Sequence, residues 1–348
     1  MENQFQNQPA KKKRRFWLWL VLLLAIAFFG FFFFKTSFTI SQMVDFKRML
    51  GWTSQALPFT DDSLKLPEKE PNRVNVLLLG MRGLEDPGQG KLLSDAIILA
   101  SINKKTGQIA LISLPRDIYY RIWCSGEDKK INFAYAQGGL DCAKKTVSSL
   151  TDLYIDYAVS ANFEGLKGII DALGGIAVYL EEPFEEDFQW AKEGQEKNEH
   201  WFIKEIDGQE RWVFHLPAGL NQLDGQTALY YARSRYSTDD FDRMRRQQKV
   251  LLAIKEKAFS VGILANPAKI YQLLDLLGKN VKTDLRLADI KEMISLAAKL
   301  DTQNIKRKVF DTSPQGLLYH TFINDEYILR PVDNNFEQIQ TACRNIFN

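Results

Sequence analysis

The sequence predicts an α/β domain, layered in the α+β sense, with a central mixed β-sheet flanked by helices and one transmembrane helix in front of it. Three observations predict this. Apolar, β-rich runs ("RVNVLLLG", "AIILASI", "QIALISL") follow one another between residues 73 and 114, each stopped by glycine, a polar turn or proline. Helical patterns at about 163–173, 224–232, 241–258, 267–278 and 287–300 interleave with or follow such runs. Residues 16–34, "FWLWLVLLLAIAFFGFFFF", carry no charge at all.

That last run sets the compartment. Nineteen helical residues span roughly 28 Å, close to the ~30 Å hydrocarbon core of a bilayer. The apolar region of a cleaved signal peptide is shorter, about 7–15 residues, and "KTSFTISQ" offers no small-x-small cleavage site. The run therefore reads as an uncleaved signal anchor. Residues 1–15 form a basic tail with Lys11, Lys12, Lys13, Arg14 and Arg15, against Lys35 alone just after the run. This asymmetry keeps the N-terminus cytoplasmic and places the rest outside, in a single-pass cell-membrane protein. Residues 35–71 read as a stalk, and 72–348 as the extracytoplasmic domain.

Net charge is +2 over 348 residues, and the first fifteen hold +4, so the remainder is slightly acidic. A folded part of that balance argues against a general nucleic-acid partner. His200, His215 and His320 are scattered, with no zinc-ligand spacing. Cys124 and Cys142 stand eighteen residues apart. They fit a disulfide in an exported domain, or two small buried hydrophobes.

Within the domain, "AIILASI" and "QIALISL" flank "NKKTG" as a hairpin. Its turn centres near Lys105, so Asp95 and Arg116 should face each other at one end of the sheet. "RVNVLLLG" brings Gly80, Met81 and Arg82 to that end if it runs parallel to the third strand. "YAVSAN", a helix from about Phe163 to Leu173, a Gly-Gly stop and a further strand follow. Residues 183–215 are polar, hold Trp190, Trp201 and Trp212, and receive no function.

The stretch "ARSRYSTDDFDRMRRQQKV" holds five arginines. At 100° per residue, Met244, Gln247, Val250, Leu251, Ile254 and Ala258 form the inward stripe of the helix. Arg243 and Arg246 lie on or beside it, and Arg245 points to solvent. Arginines on the inward side need partners. Asp239, Asp240 and Asp242 can supply them, one as helix cap. Alternatively, the helix start and its arginines hold an anion such as phosphate. Arg233 and Arg235 share a face if their segment is extended.

In order and spacing, "RVNVLLLG", "SDAIILASINKKTGQIALISLPRD", "KINFAYAQGG", "NFEGLKGIIDALGGIAVYL", "LPAGLNQLDGQTALYYARSRY" and "DFDRMRRQQKV" resemble the LytR–CpsA–Psr family over a motif core of residues 72–258. The resemblance implies an extracytoplasmic phosphotransferase. Such an enzyme moves a glycopolymer, as in teichoic acid or capsule attachment, from a polyprenyl-pyrophosphate carrier to peptidoglycan through a phosphodiester. It implies that Arg116, Arg233, Arg235, Arg243 and Gln247 bind the pyrophosphate. Asp95 then ligates Mg2+ (or Mn2+), Lys130 contacts the head group, and the apolar elements enclose the prenyl tail. Arg246 joins the substrate-binding set. Two positions depart from the family pattern. Met81-Arg82 stands where G-x-D is usual, and Leu93 stands where R-S-D begins. Arg82 can replace the missing arginine and Glu85 or Asp86 the missing carboxylate. Asp117 is either the general base or a clamp on Arg116. The expected partners are the lipid-linked glycan, peptidoglycan and the membrane, with no nucleic acid. A non-catalytic polyprenyl-pyrophosphate-binding or attenuator-like regulatory protein is the alternative.

Overall fold

The computed structural model describes residues 66–81, 92–187, 199–258 and 304–348, with short pieces between 275 and 300. The basic tail, the apolar run 16–34, most of the stalk, Arg82, Glu85, Asp86 and the larger part of the two expected helices at 267–278 and 287–300 lie outside the described residues. Among the described residues no helix is long and apolar enough to cross a membrane.

The centre is a six-stranded mixed sheet. Its first three strands are those expected: β1 (Arg73–Met81), β2 (Ser94–Asn103) and β3 (Ile109–Ser113). β1 and β3 both run antiparallel to β2 and so parallel to each other. β4 (Tyr119–Arg121) and β5 (Asp128–Lys130) form a small ribbon beyond them. β6 (Tyr157–Asn162) pairs in parallel with β1. A small sheet joins β8 (Phe184–Glu186), β9 (Trp201–Ile206) and β10 (Gln209–Leu216), while β7 (Ile176–Leu180) pairs with β11 (Gly219–Leu223). β12 (Val281–Thr283) and β13 (Lys306–Val309) complete the edges of the central sheet. A terminal hairpin pairs β14 (Leu318–Ile323) with β15 (Glu326–Pro331).

Strand alternation divides the molecule into layers. Leu77, Met81, Ile97, Leu99 and Ile112 point to one face, into a core shared with helices α1 (Phe133–Thr151) and α5 (Glu337–Arg344). Leu78, Gly80, Ala96 and Ile98 point to the other, towards α2 (Phe163–Ala172), α3 (Gly225–Arg233) and α4 (Asp240–Ala258). α2, α3 and α4 fall where the helical periodicity placed them. α2 and α3 start on side-chain caps: Asn162 Oδ1 accepts from Gly165 N and Asp224 Oδ1 from Thr227 N.

α1 was not anticipated. Its sequence breaks the helical pattern at Gly138-Gly139, where both residues leave helical geometry and Gly139 adopts a φ of 65°. The kink also makes room: a Cβ on Gly138 would stand 2.8 Å from Cys124 Sγ. Cys124 and Cys142 are joined in a disulfide, Cα to Cα 5.7 Å, which ties the β4–β5 segment to α1.

Candidate active site

Three parallel strands, β1, β3 and β6, deliver their C-terminal ends to one edge of the sheet, where loops of α/β proteins gather ligands. Continuing the β2–β3 register by three residues places Asp95 opposite Arg116. The two form an ion pair there, Arg116 Nη1 donating to Asp95 Oδ1. Arg116 Nε also lies 3.4 Å from Asp117 Oδ2, and Lys130 Nζ lies 3.2 Å from Asp117 Oδ1. Both oxygens of Asp117 thus face cations, the clamp arrangement. Burial presses on the Arg116 guanidinium, but Asp95, Asp117 and Asp240 outweigh it and raise its pKa.

α4 brings the second group. Asp239 caps the helix, its Oδ1 accepting from Asp242 N at 2.7 Å. Arg243 is 4% exposed. Its Nη2 donates to Asp240 Oδ2 at 2.8 Å and to the Asp95 carbonyl at 3.4 Å, linking the helix to β2. Its Nε is buried with no hydrogen-bond partner among the described residues. Burial, with Arg116 and Arg235 as like charges, pushes the Arg243 guanidinium down to about 10, so it still carries its charge at neutral pH. Arg235 Nε stands 3.6 Å from Asp240 Oδ1. Arg233, the last residue of α3, sits over the Phe163 ring at 4.2 Å. The backbone turns extended only at Ser234, yet both arginines reach the same cavity.

That cavity, about 310 Å³, lies between the sheet and α2–α4. Its mouth carries Asp95, Arg233, Arg235, Arg243 and Gln247, and its interior is aliphatic, with Leu78, Ile98, Val159, Ile169, Leu251 and Ile254. Gly80 keeps the wall thin: a Cβ there would meet Ala96 Cβ at 3.0 Å. The mouth gathers Arg233, Arg235 and Arg243 beside Asp95, which suits a compact dianion or polyanion over an apolar chain.

Two expected site residues stand elsewhere. Arg246 is outside the cavity wall, against the expectation that it binds substrate. Its Nε donates to the Tyr231 carbonyl at 2.9 Å, its Nη1 to Thr238 Oγ1 at 2.8 Å and its Nη2 to the Ser234 carbonyl. Its guanidinium lies 4.9 Å from the Phe184 ring. A side chain with these donors occupied staples the arginine loop instead of meeting a ligand. Lys130 is on the outer side of the charged edge, bound to Asp117 and, at 3.1 Å, to Glu326. Arg245 is exposed and pairs with Asp242 and Asp311, as its helical angle required.

Two residues not singled out in the sequence support the site. Gln248 is 1% exposed, and its Nε2 donates to Ser113 Oγ at 2.8 Å, fixing α4 on the end of β3. Glu186, fully buried, accepts from Tyr236 N, Ser237 N and Ser237 Oγ at 3.1–3.2 Å. The unassigned stretch 183–215 therefore folds into a sheet that anchors the loop carrying Arg235.

For a divalent cation the protein donors are few. Among the described residues no three His, Cys, Asp or Glu side chains converge, and Asp95 is the one carboxylate in the cavity wall. Magnesium commonly keeps waters and substrate phosphates beside one or two carboxylates. The donor set fits an ion whose shell a phosphate completes.

Comparison with known proteins follows the same lines. The model of the LytR_cpsA_psr family matches residues 43–345. A polyisoprenyl-teichoic acid–peptidoglycan teichoic acid transferase, TagU of Enterococcus faecalis, is 32% identical, over 82% of each chain. The corresponding TagT of Bacillus subtilis is 30% identical, over 73% of this chain and 74% of its own. The crystal structure of B. subtilis TagV superposes with a TM-score of 0.58 at 25% identity, covering 80% of this chain and 98% of that one.

Proposed function

The chain belongs to the LytR–CpsA–Psr family, and from that premise we propose that it transfers a glycopolymer from a polyprenyl-pyrophosphate carrier to peptidoglycan. The observation that carries this reading is the cavity itself: an arginine-rimmed mouth over an aliphatic interior. A prenyl tail fills the interior by the hydrophobic effect, and the pyrophosphate meets Arg116, Arg233, Arg235 and Arg243.

In this reading an acceptor hydroxyl attacks the phosphorus that bears the glycan. A new phosphodiester bond forms, the bridging P–O bond breaks, and prenyl phosphate leaves with the bridging oxygen. Asp117 is the proposed base for the hydroxyl proton, a role that requires one of its oxygens to leave Arg116 or Lys130 when the acceptor binds. Charge accumulates on the phosphate oxygens in the transition state, so catalysis is mostly positioning and cationic stabilisation. The buried Arg243 Nε, which lacks a partner among the described residues, is a donor held in place for that charge. Asp95 is the residue that would hold Mg2+ or Mn2+, which when bound neutralises phosphate charge.

The site works outside the cytoplasm in this proposal. The apolar run 16–34 behind a basic tail supports it, and so does a disulfide, which persists in oxidising compartments. A reporter fused after Asn348 should be active only outside the cytoplasm. For the activity, the test is release of polyprenyl phosphate from a pyrophosphate-linked glycan donor on addition of acceptor. Tight donor binding without release would favour the regulatory alternative.

A further inference from the structure

The cavity occupies one face of the sheet. On the other side of the charged edge stands the β14–β15 hairpin, built onto the same residues. Leu329 N donates to the Asp117 carbonyl at 2.9 Å, Leu329 bridges to Ile118, and Glu326 pairs with Lys130. Leu318 and Leu329 root it in the core on the α1 side.

Beyond that root the hairpin displays rings that the core does not use. Phe322 is 62% exposed and Tyr327 40%. They are direct cross-strand partners, ring centroids 5.9 Å apart at 77°. His320 stacks on Tyr327 at 6.0 Å with 16° between planes. The turn is tight, with Asn324 and Asp325 both at positive φ, so the ribbon is preorganised.

We propose that this ledge holds a sugar ring of the acceptor glycan; the proposal rests on the transfer reading above. The first argument is directional. In phosphoryl transfer the attacking and leaving oxygens lie roughly in line. The leaving prenyl phosphate belongs to the cavity side, so the acceptor hydroxyl arrives from the opposite side, over Asp117 and the hairpin. The second argument is chemical. A pyranose has an apolar C–H face and a polar rim, and exposed aromatic rings bordered by polar groups match both. Large exposed rings clustered on one face mark an interaction surface more often than chance exposure does. Asp325 at the tip disfavours the other apolar occupant, since an unpaired carboxylate is costly to carry into an apolar layer.

The test is calorimetric titration of the full-length protein in detergent with a soluble β-1,4-linked N-acetylglucosamine–N-acetylmuramic acid tetrasaccharide. Phe322→Ala and Tyr327→Ala should each raise its dissociation constant about tenfold, the scale of losing one ring contact. Tyr327→Phe should keep the affinity, and the KM for donor lipid should not move in any of them. Phe322→Leu keeps bulk without a ring and guards against an unfolding artefact; it should bind as poorly as Phe322→Ala. Unchanged tetrasaccharide affinity in the alanine variants, or no binding by the wild type, overturns the proposal. So does intact tetrasaccharide affinity with lost binding to phosphatidylglycerol vesicles, which would make the ledge a membrane contact. A wild type that binds the tetrasaccharide at Phe322 and Tyr327 but releases no prenyl phosphate would sink the transferase reading and leave the ledge standing.

Discussion

Asp95, in β2 and in the cavity wall, and Arg116, three residues past β3, are bound to each other across the β2–β3 pair. Each is about 15% exposed, so the pair is neither a free surface contact nor a sealed one. An ion pair of this kind does two jobs at once. It fixes the Arg116 guanidinium beside Asp95, and it leaves Asp95 as the one carboxylate in the cavity wall among the described residues.

Asp95→Asn separates these jobs. The amide still accepts a hydrogen bond from Arg116 but brings no charge to a metal. We expect stability to fall by only ~1 kcal/mol, while transfer drops by two orders of magnitude or more and the Mg2+ concentration needed for half-maximal rate rises. Thermal melting and a metal titration of turnover check this. A large loss of melting temperature in the variant, with a wild type indifferent to chelator, would reduce Asp95 to a partner of Arg116.

Glu186 acts through the loop it holds. Its carboxylate takes three donors from Tyr236 and Ser237, while Arg246 grips Tyr231, Ser234 and Thr238. Glu186→Ala strands three donors and should cost about 2–3 kcal/mol. The functional signature is a raised KM for donor lipid as Arg235 loses its position. Glu186→Gln keeps a carbonyl acceptor and should restore much of the donor KM. Equal donor KM in wild type and Glu186→Ala would limit Glu186 to stability.

The disulfide has a direct chemical test. Purified native protein should label no thiol, because Cys343 is buried and burial pushes its pKa up to about 12. After denaturation without reductant one thiol should label, and after reduction three. Cys142→Ser should lower stability by about 3 kcal/mol, the scale for a loop of some 18 residues. Lys130 lies within that loop, so acceptor-dependent turnover should suffer more than donor binding.

The parts of this architecture that could be read in the sequence are those fixed by local repeats. Hairpin symmetry about Lys105 was enough to place Asp95 against Arg116, because antiparallel register follows from counting. Helical angle alone sent Arg243 and Gln247 into the cavity and Arg245 out. The same angle put Arg246 inward, where it is buried, but could not show that its length lets it reach back to residues twelve to fifteen positions earlier instead of a ligand. Gln248 was hidden because a buried amide looks like surface until Ser113, 135 residues away, is seen to receive it. Glu186 was hidden for the same reason, its partners lying about fifty residues on. The terminal hairpin did leave a signal, alternation in "LYHTFI" and "EYILRP" about an Asn-Asp turn. No local signal tied it to Asp117.

The arginines of α4 give the sharpest discrimination between a ligand pocket and a charged surface. Were the cluster a diffuse cationic face, Arg243 and Arg245 would contribute alike through screened contacts. The structure separates them. Arg245 is about half exposed, and its shorter contact, at 2.6 Å, is to the exposed Asp242, with the partly buried Asp311 at 3.3 Å. Pairs of that kind contribute about 0–1 kcal/mol, so Arg245→Ala should melt and turn over nearly as the wild type does. Arg243 is 4% exposed, touches Asp240 and the Asp95 carbonyl, lines the cavity, and keeps its Nε without a partner among the described residues. Removing it deletes a charge that is already desolvated, where contacts to a developing phosphate charge are strongest. Arg243→Ala should lower kcat by about 10²–10³-fold, roughly 3–4 kcal/mol. Relief of a buried cation crowded by Arg116 and Arg235 should keep its melting temperature close to the wild type. Side-by-side assays of donor lipid turnover decide the matter: similar losses in the two variants, or a larger one for Arg245→Ala, would remove the phosphate from this end of the helix.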